Sequence, residues 1–475
     1  MISLLAAVLV SAAFAPISIW WLGVLGYSLF LRGVSKSSRP TVTSFIFGFV
    51  SSAIILHWSS KYVGALPWLL LSALQALFYI PLGWIYRRTQ SLWWVLFSLL
   101  ALEELRARFP FGGFAWTRIA FGQVDSPLLA VVSIGGVLAL SAVTLVISLC
   151  LTRLRIKNLV ILLAILISSL LLPSNSKSGE SINLLAIQGN TPQVGLEFNS
   201  RAKAVFQLHR DLTLKSFDSD TGSGDNKKYD AIVWPENAID IDPANHPDVA
   251  FDIAQITQRA QIPLIAGVVL TTQSGPQNAS VMYGLGGGEE STYIKRGLTP
   301  FGEYMPLRAI AEFVTPLAKT VTDFQPGSAL QTHNINGASL GPIICYEIIL
   351  DRYVREMAKQ SSALIVQTNS ATFAGTAESR QQLAITRIRA VEHGRAILSV
   401  STIGISAFID NNGSVISQTR EDEEAVLAGR LFTSDKDTIA NDLGFFGNVL
   451  VLLFFGSIAI FDTYRRTQLR FRNKR

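Results

Sequence analysis

Two patterns of hydrophobic spacing divide this chain. Through the first third, apolar residues run in long blocks with little polar relief: roughly 2–14, 17–33, 43–58, 66–86, 91–105, 128–151 and 158–173. An eighth block covers about 443–461. Such blocks predict membrane helices, for which a straight span needs about 20 apolar residues. Several fall short of that length, so two short ones could pair as a re-entrant hairpin. The opening stretch Met1 to Ala15 has the look of a signal peptide, but it lacks a basic start and runs directly into further apolar blocks. It is therefore expected to stay as a first helix.

Between about 174 and 442 the pattern changes. After the polar stretch 173–179 come short β-like runs at Ile182–Ile187, Ala231–Trp234, Leu264–Leu270, Tyr293–Lys295, Ile343–Tyr346, Ala363–Thr368 and Ala396–Val400. Helical periodicity stands between them at Arg201–Phe217, Val249–Ala260 and Arg380–His393. This alternation predicts one α/β domain with buried sheets. The Ser/Gly/Asp/Lys-rich stretch Asp218–Lys228 is expected to be an exposed loop. The domain plan is thus a membrane domain over 1–173 with about seven spans, an α/β domain over 174–442, a closing span over 443–461 and a basic tail over 462–475.

Charge orients this plan. Arg32, Lys36 and Arg39 follow the second block, Arg87 and Arg88 the fourth, Arg153, Arg155 and Lys157 the sixth, and the basic tail the eighth. If all eight blocks cross, these positions share one side, and the positive-inside rule makes that side cytoplasmic. The α/β domain then lies outside the cytoplasm. Arg106, Arg108 and Arg118 fall on the outer side and count against the scheme. Composition agrees with a membrane protein: 49% hydrophobic residues, 16% charged and a mean hydropathy of +0.36. The net charge of +6 collects beside apolar blocks and in the tail, which reads as anchoring at the membrane and not as a nucleic-acid surface.

The chain has two cysteines, and one of them, Cys150, lies in an apolar block. Cys345 ends the run Gly341-Pro342-Ile343-Ile344-Cys345-Tyr346-Glu347, and alone it would be either inert packing or a reactive thiol. Two other segments carry chemistry-bearing residues. Trp234-Pro235-Glu236 sets a carboxylate directly after a strand. Tyr293-Ile294-Lys295 is followed by Pro300-Phe301-Gly302-Glu303, giving a lysine and a second carboxylate in a turn. The five histidines are scattered without metal-ligand spacing, so no zinc site is implied, and no cofactor is expected. The glycine run 284–288 lacks a following helix and predicts a hairpin turn.

In this order, Glu236, Lys295 and Cys345 resemble the Glu-Lys-Cys constellation of the nitrilase, or carbon–nitrogen hydrolase, superfamily. With the apolar blocks, the chain is similar to the apolipoprotein N-acyltransferases, a bacterial lipoprotein-modifying family. The shared motifs include Phe109-Pro110-Phe111-Gly112-Gly113-Phe114-Ala115-Trp116, Gln188-Gly189-Asn190, Cys345-Tyr346-Glu347 and Arg389-Ala390-Val391-Glu392-His393-Gly394-Arg395. Where relatives carry Asn-Asp-Gly/Ala-Trp-Phe-Gly, this chain has Asn369-Ser370-Ala371-Thr372-Phe373-Ala374.

The resemblance implies a nitrilase-like αββα sandwich outside the cytoplasm, joined to a polytopic helical membrane domain of about eight helices in the bacterial inner membrane. It also implies a two-step acyl transfer. A phospholipid gives its acyl chain to Cys345, and the amino group of a diacylglyceryl-modified apolipoprotein receives it, with membrane lipids around both. Glu236 would be the general base, Lys295 the oxyanion cation, and Glu303, Tyr346 and Glu347 their support. Trp116, Phe198, Phe301, Asn369 and Phe373 are the expected substrate contacts. The rival activity is a membrane-anchored amidase with water as acceptor; a transporter or binding scaffold is the rival from another class.

Overall fold

The computed structural model describes residues 1–153, 155–172, 175, 179–192, 203–219 and 229–472. The chain forms two compact units, one of residues 1–174 with 438–475, the other of 175–437. The first unit thus takes in residues 438–442, a few more than the hydrophobic pattern assigns to the closing span. The expected loop over 218–228 and the linker over 173–179 lie mostly outside the described residues.

The first unit is helical. By length and composition, three of its described helices suffice to cross a membrane: Ala65–Thr89, Leu129–Leu151 and Phe445–Leu469. A fourth is added if Pro40–Ile55 and His57–Val63, bent by 55°, count as one span. The other apolar blocks form shorter helices: Ile2–Ser11, Trp20–Lys36, Leu92–Arg106 and Ile156–Leu170. The acidic pair Glu103 and Glu104 is buried among polar and charged partners. Ser141 Oγ donates to Glu103 at 2.6 Å, while Arg118 (3.1 Å) and Asn448 Nδ2 (2.9 Å) meet Glu104. Carboxylates among apolar helices persist where such partners exist. Here they tie Leu92–Arg106 to the helix Phe445–Arg472.

The second unit is built on two six-stranded sheets. The first holds β1 (Ser181–Gln188), β2 (Ala231–Val233), β3 (Leu264–Thr272), β4 (Gly275–Tyr283), β5 (Glu289–Ile294) and β12 (Ala425–Phe432). The second holds β6 (His333–Ile335), β7 (Ala338–Ile344), β8 (Ala363–Thr368), β9 (Ile397–Ser401), β10 (Ala407–Ile409) and β11 (Val415–Gln418). Each has three parallel strands at its centre, β1-β2-β3 and β7-β8-β9, flanked by antiparallel ones.

Strand alternation explains the layers. Ile182, Leu184 and Ala186 of β1 join Ala363 and Ile365 of β8 and Leu398 and Val400 of β9 in one core between the sheets. The opposite face of β1, Leu185 and Ile187, packs with Phe206, Ile253 and Ile256 from the helices Ala204–Ser219 and Pro247–Ala260. Strands covered on both faces read as continuous apolar runs, as these do. At about 25 cal/mol per Å² of apolar surface, such two-sided burial is what holds the parallel strands rigid enough to carry a site. The glycine run 284–288 is indeed the hairpin turn between β4 and β5.

Candidate active site

The site forms where strands end. β2 stops at Val233 and the chain carries Trp234-Pro235-Glu236 onward. Trp234 is fully buried, its Nε1 donating to Thr213 Oγ1 at 3.0 Å, and its carbonyl accepts from Gln367 Nε2 of β8 at 2.8 Å. Those bonds fix the loop that presents Glu236. Behind it runs β3 at Gly267, where a Cβ would lie 2.4 Å from Pro235 O and 2.5 Å from Glu236 Cα. Only glycine permits that approach.

Lys295 follows β5 directly and its side chain is 1% exposed. Lys295 Nζ donates to Glu236 Oε1 at 3.2 Å and to Glu303 Oε1 at 2.9 Å. Asn278, on β4, donates its Nδ2 to the same two carboxylates, at 2.7 Å to Glu236 and 2.9 Å to Glu303. Glu303 also accepts from Thr299 N at 2.8 Å. Burial disfavours the charge on Lys295, but Glu303, Glu236 and Cys345 outweigh it and hold the ammonium above its ordinary range. Glu303, despite its burial, is held below the usual carboxylate range by Lys295 and its hydrogen bonds.

Cys345 lies one residue beyond β7, at the start of a 3-10 turn, Cys345–Ile349. Its φ of 49° is in the left-handed region that side chains avoid. Holding a residue there costs about 1–3 kcal/mol, which the surroundings must offset. Glu347 does so from within the turn: Oε2 accepts from Ile344 N at 2.9 Å, and Oε1 from Tyr293 Oη (2.8 Å), Arg296 N (2.9 Å) and Gly297 N (2.9 Å). Arg389 braces the far side, donating to Ile348 O at 2.9 Å and Ile349 O at 3.2 Å. Burial first, then Glu236, push the Cys345 thiol well above its ordinary range, and Lys295 opposes them.

Of the expected residues, Glu236, Lys295 and Glu303 therefore stand together, and Cys345 lies close enough to feel all three charges. Tyr346 and Glu347 are buried in the turn that begins at the thiol. Phe301 is 46% exposed and Phe373 half-buried. Asn369 Oδ1 is engaged by Ala371 N (3.1 Å) and Thr402 Oγ1 (3.0 Å), which makes it a turn-former. Trp116 belongs to the other unit, buried with its ring 4.9 Å from that of Trp58. Phe198 lies outside the described residues. Asn278 and Arg389 were not singled out from the sequence for these contacts. Nothing near Asn278 marks it, whereas Arg389 stood in a motif shared with the family.

Residues 6–150 match the family described as apolipoprotein N-acyltransferase N-terminal domain, and residues 195–435 match carbon–nitrogen hydrolase. Among similar proteins is an apolipoprotein N-acyltransferase of Mycolicibacterium smegmatis, 31% identical, with 88% of this chain and 77% of that protein covered. Another, from Pseudomonas aeruginosa, is 28% identical over 91% of this chain and 89% of that one. A solved carbon–nitrogen hydrolase from Helicobacter pylori superposes with a TM-score of 0.41 at 15% identity, covering 53% of this chain and 89% of that one. The chain belongs to the apolipoprotein N-acyltransferase family, and its second unit is that family's carbon–nitrogen hydrolase domain.

Proposed function

We propose that this protein moves an acyl chain from a membrane phospholipid, through a thioester on Cys345, to the α-amino group of the N-terminal S-diacylglyceryl cysteine of an apolipoprotein. The observation that carries the reading is the buried Glu236–Lys295–Glu303 cluster facing a thiol held at a strand end. Glu236 takes the thiol proton as Sγ attacks the ester carbonyl. The tetrahedral oxyanion is met by the Lys295 ammonium and the Tyr346 N–H. Collapse expels the lysophospholipid alkoxide, and Glu236 returns the proton to it. In the second step Glu236 deprotonates the incoming amine, which attacks the thioester and frees the thiol.

Burial supports transfer over hydrolysis. Glu236 is 5% and Lys295 1% exposed, so the base and its cation are withdrawn from bulk solvent. Lipid substrates are matched by exposed apolar side chains near Glu303: Phe301, Leu307, Ile310 and Phe313. In this reading all eight apolar blocks cross the bacterial inner membrane, both termini are cytoplasmic and the second unit faces outward. The distribution of Arg and Lys supports that orientation. Holding both lipid-anchored substrates at one leaflet supplies proximity without extracting either.

The test is product analysis with purified protein, phospholipid and a diacylglyceryl-cysteine peptide. N-acylated peptide is expected. Free fatty acid without acylated peptide would make the protein a membrane-anchored hydrolase instead.

A further inference from the structure

The mechanism leaves one buried carboxyl unused. Glu378 begins the helix Glu378–His393 and is 4% exposed. Gln382, four residues on and so on the same helix face, is equally buried. Gln382 Nε2 lies 3.9 Å from Cys345 Sγ, within reach of a weak donor–sulfur bond. Glu378 is also close enough for its charge to act on Cys345 and to be acted on by Glu236. Among the described residues it is the member of this group without a cation: Lys295 serves Glu236 and Glu303, while Glu378 has the hydroxyls of Ser370 and Ser379. Ser379 Oγ donates to Glu378 Oε2 at a long 3.4 Å.

We propose that Glu378 and Gln382 are positioning residues that set the charge of the nucleophile: the Gln382 amide donates to the Cys345 sulfur, and the Glu378 carboxyl, one turn before it on the same helix face, acts on the ionisation of that sulfur. The inference rests on reading Cys345 as the nucleophile. The charges that act most strongly on Cys345 are Glu236, Lys295, Glu303 and Glu378, and those that act most strongly on Glu378 are Glu236 and Glu421. Glu421 is itself paired with Arg380 at 3.0 Å. Burial foremost, with Glu236 and Glu421 adding to it, pushes the Glu378 carboxyl up to about 7 against the two serine hydroxyls. Below that pH it is a neutral neighbour. Above it a new negative charge faces the sulfur and opposes loss of the thiol proton. The thiolate therefore forms less readily than one ionisation predicts as pH rises past neutrality.

The test is the rate of iodoacetamide alkylation of Cys345 against pH in the full-length protein in detergent, read on the Cys345 peptide by mass spectrometry so that Cys150 does not interfere. In the wild type, the logarithm of the rate should rise with unit slope below pH 7, flatten above it and then resume. Glu378→Gln should match the wild type at pH 6, rise without a break and exceed it by about three- to tenfold at pH 8.5. Gln382→Met keeps the side chain's length, loses the donor and should be slower by about three- to tenfold at every pH. A straight unit-slope profile in the wild type overturns the proposal without any variant having to fold. So does a Glu378→Gln profile parallel to the wild type, or an unchanged rate in Gln382→Met. Because alkylation requires no acyl transfer, these outcomes are separate from failure of the acyl-enzyme reading.

Discussion

Asn278 Nδ2 donates to Glu236 Oε1 at 2.7 Å, and this bond fixes the carboxylate that the mechanism needs as a base. The same nitrogen reaches Glu303 Oε1 at 2.9 Å, so a single neutral amide spaces two carboxylates around Lys295. Hydrogen bonds to charged groups contribute about 1.5–3 kcal/mol. Asn278→Ala should therefore slow formation of the acyl-enzyme by about ten- to hundredfold, measured in a single turnover with phospholipid alone. A rate within twofold of the wild type would remove Asn278 from the site.

Glu236 acts on Cys345 in two opposed ways. As a base it is required for acyl transfer, while as a charge it is one of the causes that hold the resting thiol protonated, second to burial. Glu236→Gln removes both effects. Acyl transfer should disappear, yet alkylation of Cys345 by iodoacetamide at pH 8 should quicken. If transfer and alkylation fall together, Glu236 is doing something other than proton transfer.

Glu347 is a structural anchor for the nucleophile. Its carboxylate accepts from Tyr293 Oη and from the N–H groups of Arg296, Gly297 and Ile344. Truncation leaves four buried donors unmatched, at about 1–3 kcal/mol for each that finds no water. Glu347→Ala should lose at least about 3 kcal/mol of stability and lower the thermal midpoint in detergent by several degrees. A change under about 1 kcal/mol would mean that the turn at Cys345 holds itself.

Two histidines give stability a pH dependence of known sign. His333 lies between Ser280 Oγ (2.9 Å) and Ser291 Oγ (2.7 Å), and burial pushes it down to about 3. Burial likewise pushes His209 down to about 4, against its bond to Val205 O. Between those values and about 6.5 the unfolded chain binds the protons and the folded one does not, so stability falls as pH falls. The advantage of the wild type over His333→Gln should shrink by about 1.4 kcal/mol per pH unit below about 6.5, followed as thermal midpoints from pH 7 to 5. A gap constant with pH would show that His333 is not held neutral.

What could be read from the sequence follows the physics of burial. The strands β1, β2, β3, β7, β8 and β9 are covered on both faces and stood out as unbroken apolar runs. β4, β6, β10, β11 and β12 did not stand out, because they are short, polar or, like β12, alternate between buried and exposed. Asn278 was lost with β4, since a polar residue after Gly275-Pro276 carries no local sign that it faces two carboxylates. Glu378 lies before the helix start expected at Arg380, and Gln382 is a polar position with no local sign that the helix is largely buried. Glu236, Lys295, Glu303 and Cys345 were legible only together, in an order shared with a family. The apolar blocks were visible as well, and the short ones among them form helices of only 10 to 17 residues.

The central claim is that Cys345 carries the acyl group. It is tested most directly by intact-peptide mass spectrometry after mixing the protein with a phospholipid of one defined acyl chain, without acceptor. The Cys345 peptide should gain the mass of that acyl group, and hydroxylamine should release it. Adding diacylglyceryl-cysteine peptide should clear it as N-acylated peptide appears, and Lys295→Ala should form it about 10²- to 10³-fold more slowly. Acylated product from Cys345→Ala, or product formation with no mass on Cys345 at any time, would contradict the account.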